Sequence, residues 1–174
     1  YWTKTTKEGN YIKFLRQKID SDKKEIYFDG DKEKESSGSK YFDLGGISVS
    51  HNDKLMAYSV DLKGSEYYDI FVRDLSTNKL IEKKIINTSG NITWSLDSKS
   101  FFYTPLDKFH RSKKIYKHVL GENSKKDQLI FEEKNDSFSV GISLTADEKF
   151  FVISTSDSNT VEEYFFLASD KKIK

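Results

Sequence analysis

The sequence predicts an all-β fold, a partial β-propeller of antiparallel four-stranded blades, and three observations predict it. An eight-residue pattern recurs as Ile47-Ser-Val-Ser-His-Asn-Asp-Lys54, Ile92-Thr-Trp-Ser-Leu-Asp-Ser-Lys99 and Ile142-Ser-Leu-Thr-Ala-Asp-Glu-Lys149, at offsets of 45 and 50 residues. Ile70-Phe-Val-Arg-Asp-Leu75 precedes Ile115-Tyr-Lys-His-Val-Leu120 by the same 45, so two half-units superpose without a gap. A unit of roughly 40 to 50 residues holding about four strands has the size of a propeller blade. The third observation is negative: no segment of 11 residues or more carries helical periodicity, whereas Tyr68, Ile70 and Val72 alternate with Asp69, Phe71 and Arg73 as a half-buried strand requires.

Residues 1–5, 11–19 and 25–29 read as strands joined by hairpin turns at 7–10 and 20–23, the last three strands of a blade over about residues 1–35. Residues 29–39 are charged, carry Gly and Ser, and read as a surface loop to the next blade. That blade spans about 42–86: an inward strand with Ile47 and Val49, a polar turn closed by Lys54, an apolar strand at 55–60, a third strand around Ile70, and a hairpin at 76–79. A blade over about 91–133 repeats the plan with Ile92, Trp94, Lys99, residues 100–104 and a hairpin at 121–124. A last one over about 138–174 carries Ile142, Leu144, Lys149, residues 150–154 and a shorter third stretch near 161–167. Ile47, Val49, Ile92, Trp94, Ile142 and Leu144 are expected to be buried. The first and last blades are incomplete in this reading, so the chain reads as a fragment of one domain, cut within a blade at both ends, whose open blade edges would drive self-association.

At 174 residues, with 36% apolar and 14% aromatic content, the chain is long enough for a real core. With 29 basic and 28 acidic residues the net charge is +1, so no field gathers nucleic acid or an anionic membrane. Cysteine is absent, which removes disulfides, thiol catalysis and cysteine-ligated zinc and makes the cytoplasm the default location. No apolar run approaches the ~20 residues of a membrane span. One proline and nine glycines leave the turns to Asn, Asp, Ser and Lys.

Chemistry-bearing patterns resolve into structural ones. Gly46-Ile-Ser-Val-Ser50 and Gly141-Ile-Ser-Leu-Thr145 approach a Gly-x-Ser-x-Gly nucleophile elbow, but lack the closing glycine and a following helix, and they occupy equivalent repeat positions as first strands. His51, His110 and His118 match no metal-ligand or triad spacing, and His118, aligned with Arg73, is expected on a blade surface. The acidic cluster from Asp29 to Glu35 is interleaved with lysines and lacks a calcium-loop spacing, so it reads as a solvated loop. Trp94 and Phe101-Phe-Tyr103 read as core between blades. The chain offers no catalytic residue and no cofactor or metal site.

Several segments resemble the N-terminal propeller of the prolyl oligopeptidase family of serine peptidases, particularly its oligopeptidase B branch. They are Tyr41-Phe-Asp-Leu-Gly-Gly-Ile-Ser-Val-Ser50, Leu55-Met-Ala-Tyr-Ser-Val-Asp61 with Gly64-Ser-Glu66, Asp74-Leu75, Asn87-Thr-Ser-Gly90 with Trp94, Phe102-Tyr-Thr104 followed by Asp107 and His110-Arg111, and Lys117-His-Val-Leu-Gly121. The resemblance implies a parent enzyme in which an α/β-hydrolase domain with a Ser-Asp-His triad, absent from these residues, is capped by a seven-bladed propeller. That propeller admits only short peptides, which the oligopeptidase B branch cleaves after Lys or Arg. Glu66 and Arg111, in polar loops, are the candidate contacts with the catalytic domain. A non-catalytic propeller serving as a protein-interaction platform would share the same blade physics and stands as the alternative.

Overall fold

The turn inside the repeated pattern is built three times from the same hydrogen bonds. In the computed structural model, which describes residues 1–82 and 84–170, the hydroxyls of Ser50, Ser95 and Thr145 donate to Oδ1 of Asn52, Asp97 and Asp147 at 2.8, 2.7 and 2.7 Å. Those same Oδ1 atoms accept the backbone N–H of Lys54, Lys99 and Lys149. The hydroxyls in turn accept the N–H of Leu55, Ser100 and Phe150. Asp53, Ser98 and Glu148 take the left-handed conformation at φ 58° in each copy. A short hydroxyl and a short Asx side chain two residues apart thus satisfy the N–H groups that a tight reversal exposes, which is why the pattern recurs with those residue types.

The strands follow in three antiparallel sheets. β1 (Trp2–Lys4), β2 (Lys13–Gln17) and β3 (Lys24–Asp29) form the first, in the order β1-β2-β3. Helix α1 (Gly30–Ser37) follows it. β4 (Asp43–Val49), β5 (Leu55–Asp61), β6 (Tyr68–Asp74), β7 (Lys79–Leu80), β8 (Ile85–Trp94), β9 (Ser100–Pro105), β10 (Lys114–Val119) and β11 (Gln128–Glu132) form an eight-stranded sheet. Its order is β11-β10-β9-β8-β6-β5-β4, with β7 paired to β6. β12 (Ser139–Leu144), β13 (Phe150–Ser156) and β14 (Val161–Leu167) form the third sheet.

One strand serves two units. The start of β8 pairs with β6 through Ile85 with Ile70 and Thr88 with Tyr68, and its end pairs with β9 through Ile92, Thr93 and Trp94. Between the two halves lie Asn87 at φ 59° and Gly90 at φ 88°. A Cβ at residue 90 would sit 3.0 Å from Ser59 Oγ and 3.1 Å from the Tyr68 ring, so the bend takes glycine. Ser59 Oγ–H donates to the Gly90 carbonyl at 2.8 Å, and a Cβ on Gly46 would stand 2.7 Å from that same oxygen. The glycines of β4 and β8 therefore let the first strands of successive units approach backbone to backbone.

Alternation along the central strands feeds three cores. Met56, Tyr58 and Val60 of β5 pack with Phe28 and Phe42. The opposite face supplies Ala57 to a second core with Ile70, Val72, Trp94, Phe101 and Tyr103. Phe102, on the other side of β9, joins Ile115, Val140, Phe151 and Ile153 in the third. Sheets stacked in sequence with apolar cores between them are the blades of a propeller arc.

Three expectations change. Trp94 is 2% exposed, but Ile47, Val49, Ile92, Ile142 and Leu144 are only half-buried. β4 and β12 are end strands of their sheets and the 92–94 part of β8 pairs only with β9, so each first strand keeps one flank open while β5, β9 and β13 hold the core. Residues 30–37, expected as a loop, are helical: Asp29 accepts the Lys32 N–H at its N-cap, Asp31 and Glu33 lie in the first turn, and Gly38 closes it at φ 63°. At eight residues the helix is too short to show a period. His118, expected on a surface, is 2% exposed, because its side of β10 packs toward the neighbouring unit beside Phe101.

Candidate interdomain face

The β5–β6 and β9–β10 loops lie side by side, joined by Tyr67, and the two candidate contact residues lie on them. Glu66 belongs to the β5–β6 loop, which is shaped by Asp61. This carboxylate is 2% exposed and accepts the backbone N–H of Lys63, Gly64, Ser65 and Glu66 at 2.8, 3.1, 2.6 and 2.7 Å. Burial pushes the Asp61 pKa up, but the N–H bonds from Lys63, Glu66 and Ser65 outweigh it and hold the group below the usual carboxylate range. Glu66 itself is exposed, at φ 58°, and its carboxylate has no ion-pair partner among the described residues. The Asp61 knot was missed from sequence; its signal is an Asp closing a strand just before Lys-Gly-Ser.

Arg111 belongs to the β9–β10 loop. Its Nε and Nη2 donate to Asp107 Oδ2 at 3.1 and 3.0 Å, and its Nη1 reaches the Asp136 carbonyl at 3.4 Å. Asp107 Oδ1 takes the N–H groups of Phe109 and Arg111, at 2.7 and 3.0 Å. Phe109 is left 62% exposed at the loop tip, with Lys108 Nζ and the Arg111 guanidinium each 4.9 Å from its ring. Tyr67 ties the two loops together: its hydroxyl donates to the Asp107 carbonyl at 2.8 Å and its ring lies 4.1 Å from that of His110. Glu66 and Arg111 thus stand on neighbouring braced loops, and no ion pair joins them to each other among the described residues.

Among the described residues, the serines and histidines of the sequence patterns stand apart from one another. Ser48 and Ser143, the serines of the two near-elbow patterns, lie within β4 and β12 and not on a strand-to-helix turn. His51 faces Glu148 at 3.4 Å in a turn, His110 stacks on Tyr67, and His118 is held by Asp127. A groove of about 420 Å³ between the second and third sheets is lined by Ser95, Asp97, Phe102, Lys117, Phe151 and Phe166 and presents hydroxyls without a histidine. The described residues hold no group of three His, Cys, Asp or Glu side chains placed for a metal ion, and no helix is long and apolar enough to cross a membrane.

Residues 1–174 match the family described as prolyl oligopeptidase, N-terminal beta-propeller domain. The chain is 35% identical over 127 residues to dipeptidyl aminopeptidase BI of Pseudoxanthomonas mexicana, covering 72% of this chain and 18% of that protein. It is 33% identical over 109 residues to Protease 2 of Moraxella lacunata, covering 62% and 16%. Oligopeptidase B from Leishmania major superposes with a TM-score of 0.90 at 26% identity, over 98% of this chain and 24% of that one. The chain therefore spans less than a fifth of the length of these two curated relatives.

Proposed function

Because the chain belongs to the prolyl oligopeptidase family, as its N-terminal β-propeller domain, we propose that it forms part of the gating propeller of a serine oligopeptidase that cleaves short peptides after Lys or Arg. The superposition on an oligopeptidase B over 98% of the chain is the observation that carries this reading. Nucleophilic peptide cleavage needs a serine, an oriented histidine base and an oxyanion hole. In this proposal the catalytic domain supplies them, and the blades act by excluding bulky substrates. The absence of cysteine supports a cytoplasmic setting.

Glu66 and Arg111 are the proposed contacts with that catalytic domain. Glu66 is the stronger of the two, since its carboxylate, on a loop pinned by Asp61, is exposed and has no ion-pair partner among the described residues, whereas Arg111 is already forked onto Asp107. Charge reversal by Glu66→Lys is expected to change domain opening and turnover of the full-length enzyme; unchanged opening kinetics and turnover would remove Glu66 from the interface.

The test of the reading is a panel of chromogenic peptides given to the full-length protein with and without a serine-directed phosphonate. One peptide ends in a basic residue, one in proline, and one releases a dipeptide. Phosphonate-sensitive turnover confined to the basic peptide is expected. Preference for either of the others would move the specificity, and indifference to all three would favour the interaction platform.

A further inference from the structure

Two successive wedges between blades are closed by one repeated constellation, and the second copy carries an imidazole where the first carries a guanidinium. In the first wedge Arg73 on β6 forks onto Glu33 of α1 at 2.7 and 2.8 Å and donates to the Tyr58 hydroxyl at 2.9 Å. The residues 45 positions later, Tyr103 and His118, rebuild it in the next wedge. His118 Nδ1 lies 2.9 Å from Asp127 Oδ1, and Asp127 Oδ2 accepts the Tyr103 hydroxyl at 2.9 Å. Glu82, from the connection between β7 and β8, takes the place of Glu33, with its Oε2 3.9 Å from His118 Nε2 and its Oε1 accepting the Gly121 N–H.

The charges differ between the two copies. The first sets a permanent guanidinium against one carboxylate, the second a titratable imidazole against two. His118 and Asp127 side chains are each 2% exposed and that of Glu82 10%. Phe101 lies 5.3 Å from the His118 ring, and Tyr116 stacks on Tyr103 at 6.0 Å. The blade surface opposite supplies Ala57, Ile70 and Val72, which are apolar. His118 Nε2 is buried without a hydrogen-bond partner among the described residues. With Nδ1–H directed at Asp127, neutral His118 turns a lone pair toward the Glu82 carboxylate; protonated, it turns an N–H.

We propose that His118 is a proton-operated latch between these two blades: protonated, it bridges Asp127 and Glu82 and ties Glu82 to β10, and neutral, it releases Glu82. On this proposal the latch is closed at acid pH and opens as pH rises. The experiment is hydrogen exchange in the full-length protein at pH 5.5 and 8.0, corrected for intrinsic rates, read on peptides spanning 81–90 and 114–122. Wild-type protection of 81–90 is expected to fall about tenfold at the higher pH. Glu82→Gln removes the step, and His118→Arg, which copies the first wedge, keeps the 81–90 peptide protected at both pH values. Imidazole ¹⁵N shifts of the wild type report His118 directly and need no variant. A His118 that keeps one protonation state from pH 5.5 to 8.0, or a Glu82→Gln protein that retains the step, overturns the proposal.

Discussion

Trp94→Ala probes the contact on which the stacking of the two central blades rests. The indole is 2% exposed, sits edge-on to Phe101 at 5.5 Å among Ala57, Ile70, Val72 and Ile85, and donates Nε1–H to the Ser48 carbonyl at 3.0 Å. Removing a buried tryptophan side chain costs about 3–5 kcal/mol from lost transfer free energy and the cavity left behind. Part of that is the lost bond to the half-buried Ser48 carbonyl, worth about 0.5–1.5 kcal/mol for a typical hydrogen bond. Trp94→Phe separates the two, because it retains most of the ring volume and loses only the donor, and it is expected to cost about 1–2 kcal/mol. Against a total stability of about 5–15 kcal/mol for a domain, the alanine variant loses a large fraction of the folded state's margin. Equilibrium urea unfolding followed by far-ultraviolet circular dichroism reads both, as a lower midpoint at unchanged slope. A Trp94→Ala protein within 1 kcal/mol of wild type would refute the placement of this side chain between blades.

Other outcomes follow from named contacts. Arg73→Met is expected to cost about 1.5–3 kcal/mol by stripping charge-assisted bonds from Glu33 and Tyr58, and adding Glu33→Gln should recover part of it; a double-mutant cycle without coupling would show that α1 is held some other way. Asp61 has a lowered folded pKa, so its stabilisation is fully present above the unfolded value of about 3.9 and is lost as pH falls through the folded one. Asp61→Asn should therefore cost about 1–3 kcal/mol at pH 7, with the gap to wild type closing below about pH 4; a gap independent of pH would assign the effect to something other than this carboxylate. Val161, Phe165 and Leu167 share one exposed face of β14, at 65%, 59% and 47%, and the 174-residue chain alone should self-associate in sedimentation between micromolar and millimolar concentration. Phe165→Lys should weaken that association, and a clean monomer throughout would show that the end sheets tolerate their exposed faces.

The amino-acid sequence by itself determined the repeat, the strands and the turns, because those rest on interactions spanning a few residues. The Ser50, Ser95 and Thr145 turns close within five residues, and Met56, Tyr58 and Val60 alternate with Ala57 and Ser59 because side chains on a strand point to opposite faces. It also carried the resemblance that the family match over residues 1–174 makes plain. Tertiary structure decided what depends on partners far along the chain. The helix from Gly30 to Ser37 is too short to announce itself by period, and it is anchored by Arg73, 40 residues beyond Glu33. Ile85–Trp94 became one strand shared by two units because Gly90 can bend where another side chain would strike Ser59 and Tyr68. His118 went inside because acids from two other segments line the wedge it faces. Nearest-neighbour chemistry writes a blade into sequence, whereas the seam between blades is set by side chains that meet only after the sheets have stacked.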